Sequence, residues 1–150
     1  MELILWRHSD AEDGMPDAER GLTAKGEKQA KRIAAWLRKR LPDDALVLVS
    51  PARRAQQTAR ALSKKFVTSE GVGTATTPQA LLQAAGWPRG ERTVVVVGHQ
   101  PTLGQTLALV LTGRPGDWSI RKGAIWWLAG RARGGNEEVI VRAAIAPDLV

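Results

Sequence analysis

Apolar positions along this chain follow two rhythms. Unbroken apolar runs at Leu3-Ile4-Leu5-Trp6, Ala45 to Val49 and Val94-Val95-Val96-Val97 read as short strands buried on both faces. Between them the period lengthens. Ala30, Ile33, Ala34, Leu37 and Leu41 fall on one helical stripe behind Thr23, a residue suited to the N-cap. Ser50-Pro51 reads as a second helix start, with Ala55, Ala59, Leu62 and Phe66 sharing the face that follows. A third strand is expected within Thr68 to Thr77, and a short helix over Gln79 to Ala85 stops at Gly86-Trp87-Pro88. Pro101 opens a helix carrying Leu103, Leu107, Val110 and Leu111. Ala124 to Leu128 and Glu137 to Ala144 pair as a hairpin across Gly134-Gly135-Asn136, with Trp126 and Trp127 facing opposite sides. Strands alternating with helices predict a three-layer α/β/α sandwich around a mainly parallel sheet, in a single domain spanning residues 1–150.

Composition changes this picture only through charge. The net charge is +7, which admits nucleic acid, an acidic partner or an anionic substrate. The basic runs Lys25 to Arg40 and Arg53 to Lys65 lie on predicted amphipathic helices, where a solvated face is the simplest reading. No basic strand is interleaved with aromatic residues, so a nucleic-acid-binding module is disfavoured. The absence of cysteine removes disulfide and thiol chemistry. No apolar stretch approaches the length of a membrane span, and the first is too short for a signal peptide, so a cytoplasmic protein is expected.

The candidate chemistry sits where the strands stop. Both histidines of the chain, His8 and His99, directly follow an apolar strand. Ligands of open α/β sheets bind at that carboxyl edge. Arg7 adjoins His8, and Arg53 and Arg54 open the helix after the second strand. An arginine there, such as Arg54, can reach back over the sheet edge and hold phosphate bidentately, helped by the helix N-terminus. Two guanidiniums disfavour a cationic imidazole, and a neutral imidazole is the nucleophile that attack on phosphorus needs. The second histidine can then donate to the equatorial oxygens. This set neutralises a phosphate dianion without a metal or cofactor. A metal-dependent hydrolase is the rival chemistry, since His8-x-Asp10 offers two ligands, but no further ligand stands at a recognisable spacing.

Four ordered elements carry a family resemblance. They are Leu5-Trp6-Arg7-His8-Ser9-Asp10-Ala11-Glu12, Leu22-Thr23-Ala24-Lys25-Gly26-Glu27-Lys28-Gln29-Ala30, Ser50-Pro51-Ala52-Arg53-Arg54-Ala55-Gln56-Gln57-Thr58-Ala59 and Val97-Gly98-His99-Gln100-Pro101. Together they resemble the histidine phosphatase (phosphoglycerate mutase-like) superfamily, and most of all its small SixA-type phosphohistidine phosphatases. The resemblance implies a phosphoglycerate mutase-like fold, His8 as the phosphorylated nucleophile, and Arg7, Arg54 and His99 as the rest of the phosphate pocket. It also selects Arg54 over Arg53, which spacing alone does not.

There are two departures from the family pattern. Ser9 replaces the usual glycine after the histidine, and its hydroxyl is a further candidate phosphate contact. The stretch Thr77 to Gln83 lacks the carboxylate that serves many relatives as general acid, with Gln79 about where it would stand. Asp10 is the nearest candidate acid, with a structural role in its loop as the alternative. An alkoxide needs a proton to leave, whereas a phosphoramidate nitrogen leaves more readily. The expected substrate is therefore a phosphohistidine protein. A small-metabolite phosphate ester is the alternative.

Overall fold

A computed structural model describes residues 1–150 apart from the side chain of Arg133. Six strands form one sheet: β1 (Glu2–Arg7), β2 (Leu46–Val49), β3 (Val67–Thr68), β4 (Thr93–Gly98), β5 (Ile125–Arg133) and β6 (Asn136–Ile145). Their spatial order is β3-β2-β4-β1-β5-β6. The first four positions in that order run parallel to one another, and β5 and β6 add an antiparallel hairpin beside β1. Gly134 and Gly135 both take positive φ (60° and 84°), the turn geometry a two-residue hairpin loop needs.

Four helices cover the two faces: α1 (Ala24–Arg38), α2 (Arg53–Leu62), α3 (Pro78–Ala85) and α4 (Thr102–Thr112). Alternation along each strand sorts the core. Ile4, Trp6, Val95 and Val97 point toward Ile33, Leu37, Ala55 and Ala59 of α1 and α2. Leu3, Leu5, Val94 and Val96 point toward Leu81 of α3 and Leu103 and Leu107 of α4. β4 is buried along its whole length, as its β-branched run predicts. Trp127 joins the first cluster and Trp126 borders the second, so the adjacent tryptophans face opposite sides.

Several boundaries differ from those expected. α2 begins at Arg53 behind Ala52, two residues past Pro51, because the Ser50 hydroxyl accepts from the Ala52 amide in a tight turn and the chain has not yet entered helical geometry. Leu41 and Phe66 pack on the same core from outside their helices. The third strand is only Val67–Thr68, and the Gly-rich segment after it coils into a 3-10 turn at Glu70–Val72. Thr23 does cap α1, accepting from the Gly26 amide at 3.0 Å. Gly26 is required there because a side chain would collide with the carbonyl of Asp10.

Candidate active site

Parallel pairing brings the two histidines together. β1 and β4 are neighbours, and their register ends with Arg7 opposite Gly98. The next residue of each chain, His8 and His99, therefore emerges at the same edge, with ring centroids 5.1 Å apart. The two strands then diverge, β1 toward α1 on one face and β4 toward α4 on the other. This is the kind of crevice in which open α/β sheets bind ligands. β2 ends beside β4, and the Ser50 amide donates to Val97.

Both rings are buried and oriented. His8 Nδ1 lies 2.7 Å from the Ser9 carbonyl oxygen, which can only accept. The ring proton is thereby held on Nδ1, leaving a lone pair on Nε2. His99 Nε2 lies 2.7 Å from Ser50 Oγ, and Oγ already accepts from the Ala52 amide. The Ser50 hydroxyl can donate its own proton to Nε2, the arrangement in which the ring proton of His99 lies on Nδ1. Burial, followed by the charges of Arg54 and Arg7, pushes His8 down to about 4, against an opposing pull from the Ser9 carbonyl. Burial, then His8 and Arg54, pushes His99 down to about 3. Both rings are neutral at neutral pH.

The arginines are fixed through backbone oxygens. Arg7 donates to the Ile120 carbonyl at 2.8 Å, and burial lowers its pKa. Arg54 is 5% exposed and donates through both terminal nitrogens to Asp17, at 2.8 Å to the carbonyl and 3.1 Å to the carboxylate, which is 56% exposed. The Arg54 guanidinium beside Asp17 holds its carboxyl below the ordinary range. Arg53 lies exposed, reaching the Glu19 carbonyl instead. Ser9 is fully buried, and its amide donates to Thr58 Oγ1. Gly123, at φ +76°, brings its amide against the carbonyls of Arg7 and His8, and its carbonyl accepts from the Trp6 indole.

Four buried side-chain polar atoms lack a hydrogen-bond partner among the described residues: Arg7 Nε, Ser9 Oγ, Arg54 Nε and His99 Nδ1. All four belong to this cluster. Buried polar groups are almost always paired, so such a concentration marks a place built to receive a polar ligand. The two arginine Nε atoms carry N–H donors, Ser9 Oγ is a hydroxyl, and His99 Nδ1 is a donor when Ser50 donates to its Nε2, a set suited to an oxyanion beside the free lone pair of His8 Nε2.

Asp10 is placed differently. One carboxylate oxygen accepts from Thr23 Oγ1 at 2.8 Å, and the other pairs with Lys122 at 3.0 Å. These contacts, Thr23 first, lower its pKa. A general acid needs the opposite shift. The stretch 77–83 forms the start of α3 and adds no carboxylate. Among the described residues, no group of three or more His, Cys, Asp or Glu side chains is arranged to hold a metal ion.

Sequence reasoning did not single out Ser50, Asp17, Thr58 or Gly123 as site residues. Ser50 had a usable signal, a hydroxyl directly after a central strand. Asp17 had none, since it meets Arg54 from 37 residues away.

Comparison with known proteins decides the family. Residues 3–71 match the model of the histidine phosphatase superfamily (branch 1). Phosphohistidine phosphatase SixA of Escherichia coli K12 is 32% identical over 123 residues, covering 75% of this chain and 76% of its own. The chain belongs to the histidine phosphatase superfamily. An uncharacterised protein of Picosynechococcus sp. strain PCC 7002 is 34% identical over 145 residues, covering 89% of this chain and 88% of its own. Among solved structures, the protein histidine phosphatase SixA complexed with tungstate superposes with a TM-score of 0.79 at 23% identity, covering 99% of both chains. A phosphoserine phosphatase mutant of Entamoeba histolytica in complex with phosphoserine superposes at 0.69 and 18% identity, covering 95% of both. At those identities the likeness is one of fold, and the fold is the phosphoglycerate mutase-like α/β/α sandwich. The protein is thus a SixA-like phosphatase of this superfamily.

Proposed function

We propose that this chain, as a single histidine phosphatase domain, removes phosphate from phosphohistidine in a protein by way of a phosphorylated His8. The observation that carries the reading is the cluster of four unpartnered buried polar atoms around a histidine whose Nε2 lone pair is free. Nε2 attacks phosphorus, an N–P bond forms, and the bond to the substrate nitrogen breaks. Arg7 Nε, Arg54 Nε and His99 Nδ1–H donate to the phosphoryl oxygens as charge shifts onto them, with Ser9 Oγ as a further contact. Water then attacks the same phosphorus, releasing inorganic phosphate and restoring neutral His8.

The leaving group favours phosphohistidine over an alkyl ester. An imidazole protonated on its distal nitrogen departs as a neutral ring, whereas an alkoxide needs a proton donor. Asp10 is engaged by Thr23 and Lys122 as an ionised carboxylate, which suits a loop anchor. The likeness to the Escherichia coli phosphohistidine phosphatase supports the same choice. The alternative, a small phosphate ester, draws on the shared fold of the phosphoserine phosphatase.

The test is turnover of a histidine-phosphorylated protein against alkyl and aryl phosphates, after exhaustive chelation. Phosphohistidine is expected to be the best substrate, aryl phosphate intermediate and alkyl phosphate slowest, all without added metal. Faster turnover of an alkyl phosphate metabolite overturns the substrate assignment. A loss of activity restored by a divalent cation overturns the metal-independent chemistry.

A further inference from the structure

A second concentration of charge lies outside the notch at the strand ends that holds His8, His99, Arg7 and Arg54. Lys25, Lys28 and Arg32 stand one above another on α1, and Arg121 and Lys122 face them across a cleft of about 410 Å³. Asp148 is its sole acidic lining residue among those described, and it meets Arg121 only at 3.9 Å. Lys122 is answered by Asp10. Among the described residues no carboxylate lies within ion-pair distance of Lys25, Lys28 or Arg32.

This arrangement works against the stability of the free protein. Lys25 is the second residue of α1, in the first turn, where the helix dipole disfavours a cation. Lys28 and Arg32 are a like-charge pair one turn apart, which costs a helix further. A plain solvated face would mix signs along such a stripe.

The cleft adjoins the notch directly. Lys122 is bonded to the residue two after His8, Gly123 packs against Ser9, and Ile120, just before Arg121, holds Arg7. Its cations are nonetheless exposed and spread along two helical turns, in contrast to the buried forks of the notch. A compact anion is gripped by fixed, desolvated donors, whereas an extended acidic surface is met by a mobile, solvated array.

We propose that this cleft docks the acidic surface flanking the phosphorylated side chain of a protein substrate. This rests on the phosphohistidine-protein reading of the adjacent site. The triple variant Lys25→Glu, Lys28→Glu, Arg32→Glu reverses the array; glutamate is as strong a helix former as the residues it replaces, and the like-charge pair at positions 28 and 32 only changes sign, so α1 is kept. The first measurement is inhibition of aryl phosphate hydrolysis by an acidic phosphocarrier domain in its unphosphorylated form. The second is kcat/KM on the same domain phosphorylated on histidine. For the wild type, inhibition weakening with salt is expected. In the variant the inhibition constant should rise about tenfold or more, with kcat/KM on the phosphorylated domain falling in parallel and aryl phosphate turnover unchanged.

Inhibition present in the wild type and lost in the variant supports docking even if the phosphorylated domain is not turned over, and in that case only the substrate reading fails. Equal inhibition constants for the two proteins overturn the docking surface and leave the substrate reading intact. It is also overturned if an inorganic bisphosphate, rather than the acidic domain, inhibits the wild type and loses that effect in the variant. Equal losses on aryl phosphate and phosphorylated domain overturn it as well.

Discussion

The protein holds positive charge in two neighbouring places by opposite means. In the notch, Arg7 and Arg54 are held by hydrogen bonds to oxygens of Ile120 and Asp17, and the buried Nε of each has no partner among the described residues. Along α1, Lys25, Lys28 and Arg32 stand in solvent, and among the described residues no carboxylate lies within ion-pair distance of them. Fixed, desolvated donors act strongly on one compact group and tolerate no substitution. Exposed cations act through a screened field and share their effect among several side chains. Charge count therefore says little about function until burial and tethering are known.

The largest break in the notch is expected from His8→Ala. It should abolish turnover and any acid-labile, base-stable phosphoryl label while leaving the fold intact, as circular dichroism would show. Normal turnover by this variant removes His8 from the mechanism.

Next comes the pair Arg54→Ala and Arg53→Ala. The first removes a buried donor set and should cost about 10²- to 10³-fold in kcat/KM, or about 3–4 kcal/mol, on the scale of other electrostatic catalytic groups. The second removes an exposed side chain and should change little. Equal losses would erase the distinction between fixed and solvated charge.

The pH response is smaller but separates the regions cleanly. Burial holds His8 at about 4 and His99 at about 3, against an ordinary 6.5. As pH falls below about 6.5 the unfolded chain takes up protons that the folded chain does not, until the folded values are reached. Stability therefore declines from about pH 6.5 down toward 4 and is insensitive to these groups above it. The Tm of His8→Ala should fall less steeply over that window than that of the wild type. The acid limb of kcat/KM should lie well below 6.5, and an inflection at 6.5 would show an exposed, ordinary imidazole.

The mildest effect is expected from Asp10→Asn. It weakens the pairing with Lys122 and the bond from Thr23, so a small loss of stability should appear, with all phosphate substrates slowed alike. Selective slowing of alkyl phosphates would instead make Asp10 the proton donor.

Much of this was legible in the chain. The β-branched run of β4, the stripe of α1 behind Thr23 and the hairpin about Gly134-Gly135 are local patterns, set by side-chain period and turn chemistry. The strand-end positions of His8 and His99 and the arginines after β2 are equally local, and with the family motifs they marked the candidate site. Length of a weak element was not legible: β3 pairs with β2 over two residues only before the chain coils at Glu70–Val72. Nor was the start of α2, where the Ser50 hydroxyl serves a turn and His99 rather than a helix cap.

By itself, then, the sequence determined the alternation of strands and helices and the residue types at the carboxyl edge, because those depend on neighbours within a few positions. Only the tertiary structure decided that Arg7 stands opposite Gly98 so that the histidines meet, and that Asp17 reaches Arg54 while Asp10 turns to Lys122. It also decided that three cations of α1 face two more across a cleft. Those outcomes depend on strand register and loop path, which bring together residues far apart in the chain and carry no local signature.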